Sequence, residues 1–592
     1  MIDNNTKKGA GLNVLLAFIL TALFFAVVIL LYDFTYGVID DPFIATVLNG
    51  AYTGTPDAHV VYMKYPLAWI LTVLFTWIPS VNWHFFLLAG CFVLCLFVVN
   101  FRIASNVEKI RYKVIFMILF MLLFWLCMAK MVLTVHYSMC AAVLAATGIF
   151  YFATIKDQSS KVNVALNYLA AFLMLWTAYA IRARTLFMLL PLAGAVFIYK
   201  FFCKKPDFQK GNVIRMLIFP VILFVGLGGM ELMHNAQYQS KEWQTFLAFN
   251  DARTTLYDFY GLPEYEKNGE FYSSLNISEA REYMYEKYYL EFQDGVPEDA
   301  LSQIADHRVA EYAETMPAGK RIAETLKALP VNLTLKTYAP VNWICAASFI
   351  IILLAALFRK KWRVAAAVIL GVVTSLIPWL WMIYMGKPTS RVTMGIWAAD
   401  LLFAAALLID NAEEIGEFLS MKAAAFSRSM RMVFPVIGAV IFAFALAAGC
   451  AGGYAKVKKT VKGSLTSGTV RSALEEWCES RPENLYICES EIVNGLGFNV
   501  HKVDNSLQNL YWPGGWTAKM AQSREIWNRF GIDDIEKGII ENQKVYLIAF
   551  QDTDISYWLD FYREAYPDAA METIETIDIE ETPFTVYQLQ ER

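Results

Sequence analysis

Long apolar runs, separated by short polar turns and by two extended polar stretches, set the plan of the chain. They fall near 12–32, 82–100, 113–129, 138–155, 163–181, 185–202, 213–233, 341–358, 364–384, 392–410 and 432–452. A bilayer core about 30 Å thick needs about 20 helical residues, so the pattern predicts 11 membrane-spanning helices. A further run, PLAWILTVLFTWIP at 66–79, is shorter and bounded by Pro66 and Pro79.

Charge decides whether that run crosses. If it lies on the surface and the first helix runs from inside to outside, 20 Lys and Arg side chains fall on the cytoplasmic side and only six in the short outer loops. The six are Lys64, Lys130, Arg182, Arg184, Lys387 and Arg391. Such a bias orients membrane proteins. Counting 66–79 as a span would place FRIASNVEKIRYK and most later basic clusters outside. A surface helix is expected there.

The two polar stretches then lie outside. Residues 234–337 carry 17 acidic and 10 basic side chains and include helical stretches such as SEAREYMYEKYYLEFQ. Residues 455–592 alternate helix and strand patterns: SGTVRSALEEWCES reads as a helix opened by a Ser/Thr cap, LYICES and KVYLIAF as strands, DISYWLDFYREAY as a helix and PFTVYQLQ as a closing strand. The expected fold class is a polytopic α-helical membrane protein with an extracytoplasmic C-terminal α/β domain. Its parts are a transmembrane module at 1–233 with a first outer loop at 33–81, a helical outer loop at 234–337, further spans at 338–454 and the α/β domain at 455–592.

Composition agrees with this plan. Of 592 residues 57% are hydrophobic and 18% charged, too apolar for a soluble protein. A net charge of -4 without a basic motif points away from nucleic acid. The first apolar run is too long for a signal-peptide core and no small-residue cleavage site follows it, so it reads as a retained helix. Nine cysteines form no CxxC pair; Cys478 and Cys488, both in the outer domain, are a candidate disulfide, and the others read as small buried membrane residues.

Against this background VIDDPFIATVLNG, starting at Val38, stands out. It sets Asp40 and Asp41 at the outer end of the first span. A surface helix opened by Pro42 follows, then the polar turn TGTPDAHVVYMKY with Asp57, His59 and Lys64, then the helix at 66–79. This order of span, acidic residue, two interfacial helices and span resembles the first outer loop of the GT-C superfamily, polytopic glycosyltransferases that use polyprenyl-phosphate sugars. The likeness covers about residues 1–235 and rests on the placement of the DD pair. No WWD-type motif is present, unlike the oligosaccharyltransferase branch.

The resemblance implies a carboxylate at headgroup height acting on a lipid-linked sugar. Asp40 is the preferred general base and Asp41 the alternative; an N-cap role for Asp41 is the structural reading. A leaving phosphate calls for cations. Arg182 and Arg184 in AIRARTLF, and Lys387 and Arg391 in MGKPTSRVTMG, sit outside against the charge trend, snorkelling being the alternative. Lys130 and His136 flank another outer turn and carry a weaker signal. Asp57, His59 and Lys64 are further substrate-binding candidates. A divalent cation held by carboxylates with His59 is conceivable chemistry, but no two histidines have ligand spacing. In NLYWPGGWTAKM, Trp512 and Trp516 suit either packing or sugar stacking, with packing favoured.

The expected function is transfer of a sugar from a polyprenyl-phosphate carrier to a cell-envelope acceptor, by an inverting mechanism, at the outer face of the cell membrane. A lipid or glycan transporter and a non-catalytic envelope receptor are the competing readings. Transporters usually keep ionisable residues near the middle of their spans, whereas the conspicuous charges here gather at one face.

Overall fold

The computed structural model describes residues 4–155, 161–203, 210–411, 458–459, 461–500 and 507–591. The chain opens with α1 (Asn4–Leu31), β1 (Thr35–Tyr36), α2 (Asp40–Asn49) and α3 (Tyr65–Trp77). Then come α4 (Trp83–Asn106), α5 (Ile110–Leu133), β2 (Thr134–Val135), α6 (Tyr137–Thr154), α7 (Lys161–Ile181), α8 (Ala183–Cys203) and α9 (Lys210–Gln237). A polar helical stretch follows: α10 (Lys241–Arg253), a π-helical turn (Thr254–Tyr260), α11 (Tyr265–Ser274), α12 (Glu279–Glu286), α13 (Ala300–Thr315) and α14 (Ala318–Leu333). The bundle is completed by α15 (Val341–Phe358), α16 (Trp362–Tyr384) and α17 (Ser390–Asp410).

Among the described residues, ten helices are long and apolar enough to cross a membrane, and they coincide with ten of the expected spans. The eleventh, 432–452, lies outside the described residues. At 13 residues, α3 is only about 20 Å long, short of a bilayer core. It buries Leu67, Leu71 and Phe75 and leaves Trp69, Ile70 and Trp77 exposed.

At the centre of the bundle stands α6, every residue of which is buried. Its run of alanines, with Ser138, Cys140, Thr147 and Gly148, keeps the helix slim enough for neighbours to close around it. The fit is tightest at Gly395 of α17, where a Cβ would stand 2.5 Å from that of Ala142.

The polar parts gather at one end of the bundle. Lys64 N donates to Ala180 O at the end of α7 and Tyr65 N to His234 Nδ1 near the end of α9. Asp57 accepts from Gln522 Nε2, and Asn82 donates to Val500 O, joining the first loop to the C-terminal domain. That domain consists of a helix over 461–479 and a five-stranded sheet ordered β4-β3-β5-β7-β6. Strands β3 (Leu485–Cys488), β4 (Leu510–Tyr511) and β5 (Val545–Phe550) are parallel; β6 (Ala569–Ile579) and β7 (Thr582–Glu591) form an antiparallel hairpin beside β5.

Four expectations change. The first loop's leading helix is not a surface helix: α2 buries Asp41, Pro42, Phe43, Ile44, Val47 and Leu48, because the C-terminal domain lies over it, with Phe43 against Phe498 and Trp512. The helix at 461–479 starts before the expected Ser/Thr cap, so Ser467 lies inside it and accepts from Gly497 N instead. Strand β6 went unrecognised because its Glu572, Glu575 and Asp578 mark a solvated edge rather than a core strand. Cys478 and Cys488 are both buried and free.

Candidate functional site

Backbone pairing brings the acidic pair to its place. Thr35 and Tyr36 run parallel to Thr134 and Val135, and Gly37 N donates to Val135 O at 2.8 Å. At Gly37 a Cβ would come within 3.0 Å of Thr134 O, so a side chain there would push the first loop off the α5–α6 turn. The pairing sets the start of α2 against His136 and Tyr137 at the start of α6.

The two aspartates then diverge. Successive helical residues point about 100° apart, so only one can face a given direction. Asp41 turns inward and is fully buried. Its carboxylate meets His84 Nε2 at 3.0 Å and accepts from Tyr137 N at 3.2 and 3.3 Å. Burial pushes its pKa up to about 6, with the His84 bond and charge acting in the opposite direction. It does not cap α2; Ile39 holds that position. Asp40 instead lines a cavity of ≈ 780 Å³. Its Oδ2 receives one long hydrogen bond, 3.4 Å from Tyr137 Oη. Among the described residues it has no ion pair. Burial raises its pKa, while the charges of Arg391, Arg182 and Arg253 pull it down.

Four of the expected basic residues share that cavity: Arg182, Arg184, Lys387 and Arg391. Arg182 is the single residue linking α7 to α8, and its guanidinium lies 4.6 Å from the Tyr62 ring and 5.2 Å from that of Tyr137. Arg391 occupies the first turn of α17, where the helix dipole disfavours a cation. Neither has an ion-pair partner among the described residues. Lys387 is committed differently, to an ion pair with Asp258.

The remaining three expected site residues lie elsewhere. Asp57 accepts from His59 Nδ1 at 2.7 Å and Gln522 Nε2 at 2.7 Å. Burial pushes its pKa up, but those bonds outweigh it and hold the group below the usual range. The His59 ring stacks on Trp243 and is edged by Tyr65 and Tyr238. Lys64 pairs with Glu231 Oε2 at 2.6 Å. These side chains pack the first loop onto α9 and α10 and do not line the cavity. Among the described residues no cluster of three or more His, Cys, Asp or Glu side chains could hold a metal ion.

Two cavity residues, Arg253 and Asp258, carry no signal in the sequence, and three more, His136, Trp512 and Trp516, carry only a weak one. Arg253 donates to Tyr62 Oη at 3.1 Å and, with Asp258, comes from the polar stretch after α9, where nothing local separates them from other solvated charges. His136 accepts from Ser138 N through Nδ1, which leaves its proton on Nε2; burial and the neighbouring Arg391 and Arg182 hold its pKa well below normal. Trp512 and Trp516, expected to pack, line the cavity from the C-terminal domain.

The lower wall is apolar: Met188 and Pro191 of α8, Ile377, Pro378 and Trp381 of α16, and Val392. Pro191 lies about 12 Å below the start of α8 at the helical rise. Phe187 of α8 and Ile377 and Trp381 of α16 line the cavity and are 48%, 48% and 60% exposed.

No family model matches the sequence, and no curated protein matches it. Among solved structures the chain is similar to the crystal structure of ArnT from Cupriavidus metallidurans bound to undecaprenyl phosphate. The identity is 11% and the TM-score 0.33, with 95% of this chain and 97% of that chain covered. At that score no function transfers with the likeness.

Proposed function

We propose that the protein is a membrane glycosyltransferase that moves a sugar from a polyprenyl-phosphate carrier to a cell-envelope acceptor on the outer face of the membrane. One observation carries the reading: Asp40 shares a cavity with Arg182 and Arg391, which have no ion pair among the described residues, and the cavity wall on α8 and α16 is apolar and partly exposed. In this reading the prenyl chain lies along the apolar wall of α8 and α16, with its phosphate at the guanidiniums. Arginine suits that task because its planar fork donates two parallel bonds to phosphate oxygens.

In the proposed step an acceptor hydroxyl attacks the anomeric carbon from the face opposite the phosphate. The new C–O bond forms as the C1–O bond to phosphate breaks, which inverts the configuration. Asp40 takes the hydroxyl proton as general base, and the departing polyprenyl phosphate keeps the bonding pair, its charge met by Arg182, Arg391 and Arg253. Asp41 holds the start of α2 through His84 and Tyr137 and so positions Asp40. In this reading the N-terminus is cytoplasmic and the C-terminal domain extracytoplasmic.

The test uses vesicles holding the full chain, a radiolabelled polyprenyl-phosphate sugar and a cell-envelope extract. Label should reach the acceptor with the parent and not with Asp40→Asn of equal abundance. Transfer undiminished in that variant would overturn the role of Asp40. A second reading, transport of a lipid or glycan, draws on Asp400 in mid-α17, which is buried and accepts from Ser375 Oγ at 2.7 Å. Movement of labelled lipid across the vesicle without transfer would favour it.

A further inference from the structure

Three different surroundings meet along α14, whose sequence is AGKRIAETLKALPVNL. Towards the bundle it turns Arg321, Thr325 and Leu329; Thr325 is buried, and Arg321 Nε donates to Tyr384 O, at the end of α16, over 2.6 Å. At about 100° per residue, Lys320, Glu324 and Lys327 fall on a second side, and all three are exposed. Ile322 and Leu326 fall on a third side, between the other two, and are 52% and 56% exposed.

The ends of the helix fix its tilt. Near its start Arg321 holds the end of one span, α16. At its finish Asn342 Nδ2, in the first turn of α15, donates to Leu333 O at 3.1 Å. A helix tied to the cavity-side ends of two spans runs along the membrane plane, at the depth where hydrocarbon meets water. Trp343, in the first turn of the span α15 that follows, is likewise 58% exposed.

We infer that α14 is an interfacial helix whose Ile322–Leu326 side sits among the lipids of the cavity-side leaflet, with Lys320, Glu324 and Lys327 in water. The occupant is the bilayer that the spans cross, not a second protein. Apolar area on one side, charge on the other and an axis in the membrane plane are what such helices require. Arg321 Nη2 also lies 3.9 Å from Met385 Sδ, and Met385 lines the cavity. The helix thereby ties the depth of the cavity mouth to the lipid boundary. This inference does not depend on the transferase reading.

The experiment places a small fluorescent amino acid, one position at a time, at 322, 326, 324 or 327 of the full chain in phosphatidylcholine–phosphatidylglycerol vesicles. All four positions are exposed, so none disturbs packing. Lipids carrying a nitroxide near the headgroup should quench 322 and 326 at least about twofold more than 324 and 327, with aqueous iodide giving the reverse order. Equal lipid quenching at all four positions would overturn the assignment. So would protection of 322 and 326 from both quenchers, which would mean that protein covers the stripe.

Discussion

Carboxylates in two regions of this molecule are treated in opposite ways. Between the polar stretch and the C-terminal domain, three buried carboxylates each have two or more hydrogen-bond donors. Glu489 accepts from Ser490 Oγ, Glu491 N, Tyr557 Oη and Tyr289 Oη; Glu291 accepts from Tyr511 Oη and Lys519 N; Glu536 takes both nitrogens of Arg281 and Asp294 N. At the cavity Asp40 has, among the described residues, one long hydrogen bond, and the arginines around it form no ion pair. A satisfied buried charge braces a structure, whereas one left short of partners beside a cavity is available to something that enters.

That contrast is tested first where the expected effect is largest. Asp40→Asn should lower kcat by about 10²- to 10⁴-fold, the usual contribution of a general base, with thermal stability unchanged. Arg281→Ala should do the reverse. It strands Glu536, whose side chain is only 11% exposed, and should cost about 3 kcal/mol, read from denaturant unfolding, with donor KM kept. If Arg281→Ala abolished transfer in a fully folded protein, the division between bracing and reacting carboxylates would fail.

Arg182→Ala should raise the donor KM about tenfold, near 1.4 kcal/mol, and leave the acceptor KM alone. The pH profile sharpens the point. Burial raises the Asp40 pKa, so the acid limb of kcat should lie above the ordinary carboxylate range. Arg391 favours the ionised form; Arg391→Gln should therefore move that limb to still higher pH. A shift downward would show that Arg391 does not act on the base. The smallest effect belongs to Asp57→Asn, which should cost about 1 kcal/mol or less of stability and leave donor KM unchanged.

How much of this was legible in the sequence depended on the range of the forces involved. Span positions follow from local hydropathy, and ten apolar runs became ten helices. The DD pair was found by its place after α1, but Asp40 and Asp41 could not be told apart, since their difference lies in His84 and Tyr137, 43 and 96 positions away. Arg182, Arg184, Lys387 and Arg391 stood out because they broke a charge trend, and the cavity gathers all four. Asp57, His59 and Lys64 shared the same outer loop but met partners on α9, α10 and the C-terminal domain. Proximity along the chain to the acidic pair was a poor guide to proximity in space. Arg253 and Trp516 gave the opposite lesson: each reaches the cavity through tertiary packing alone.

Trp512 and Trp516 stand more than 470 positions after Asp40, yet they complete the same enclosure. During synthesis the early helices therefore insert with one wall of the chamber missing. The enclosure closes only once the carboxyl-terminal sheet has been delivered to the cavity side and folded. A chain that lacked this sheet would keep its acid and its arginines while losing the tryptophan wall that covers them.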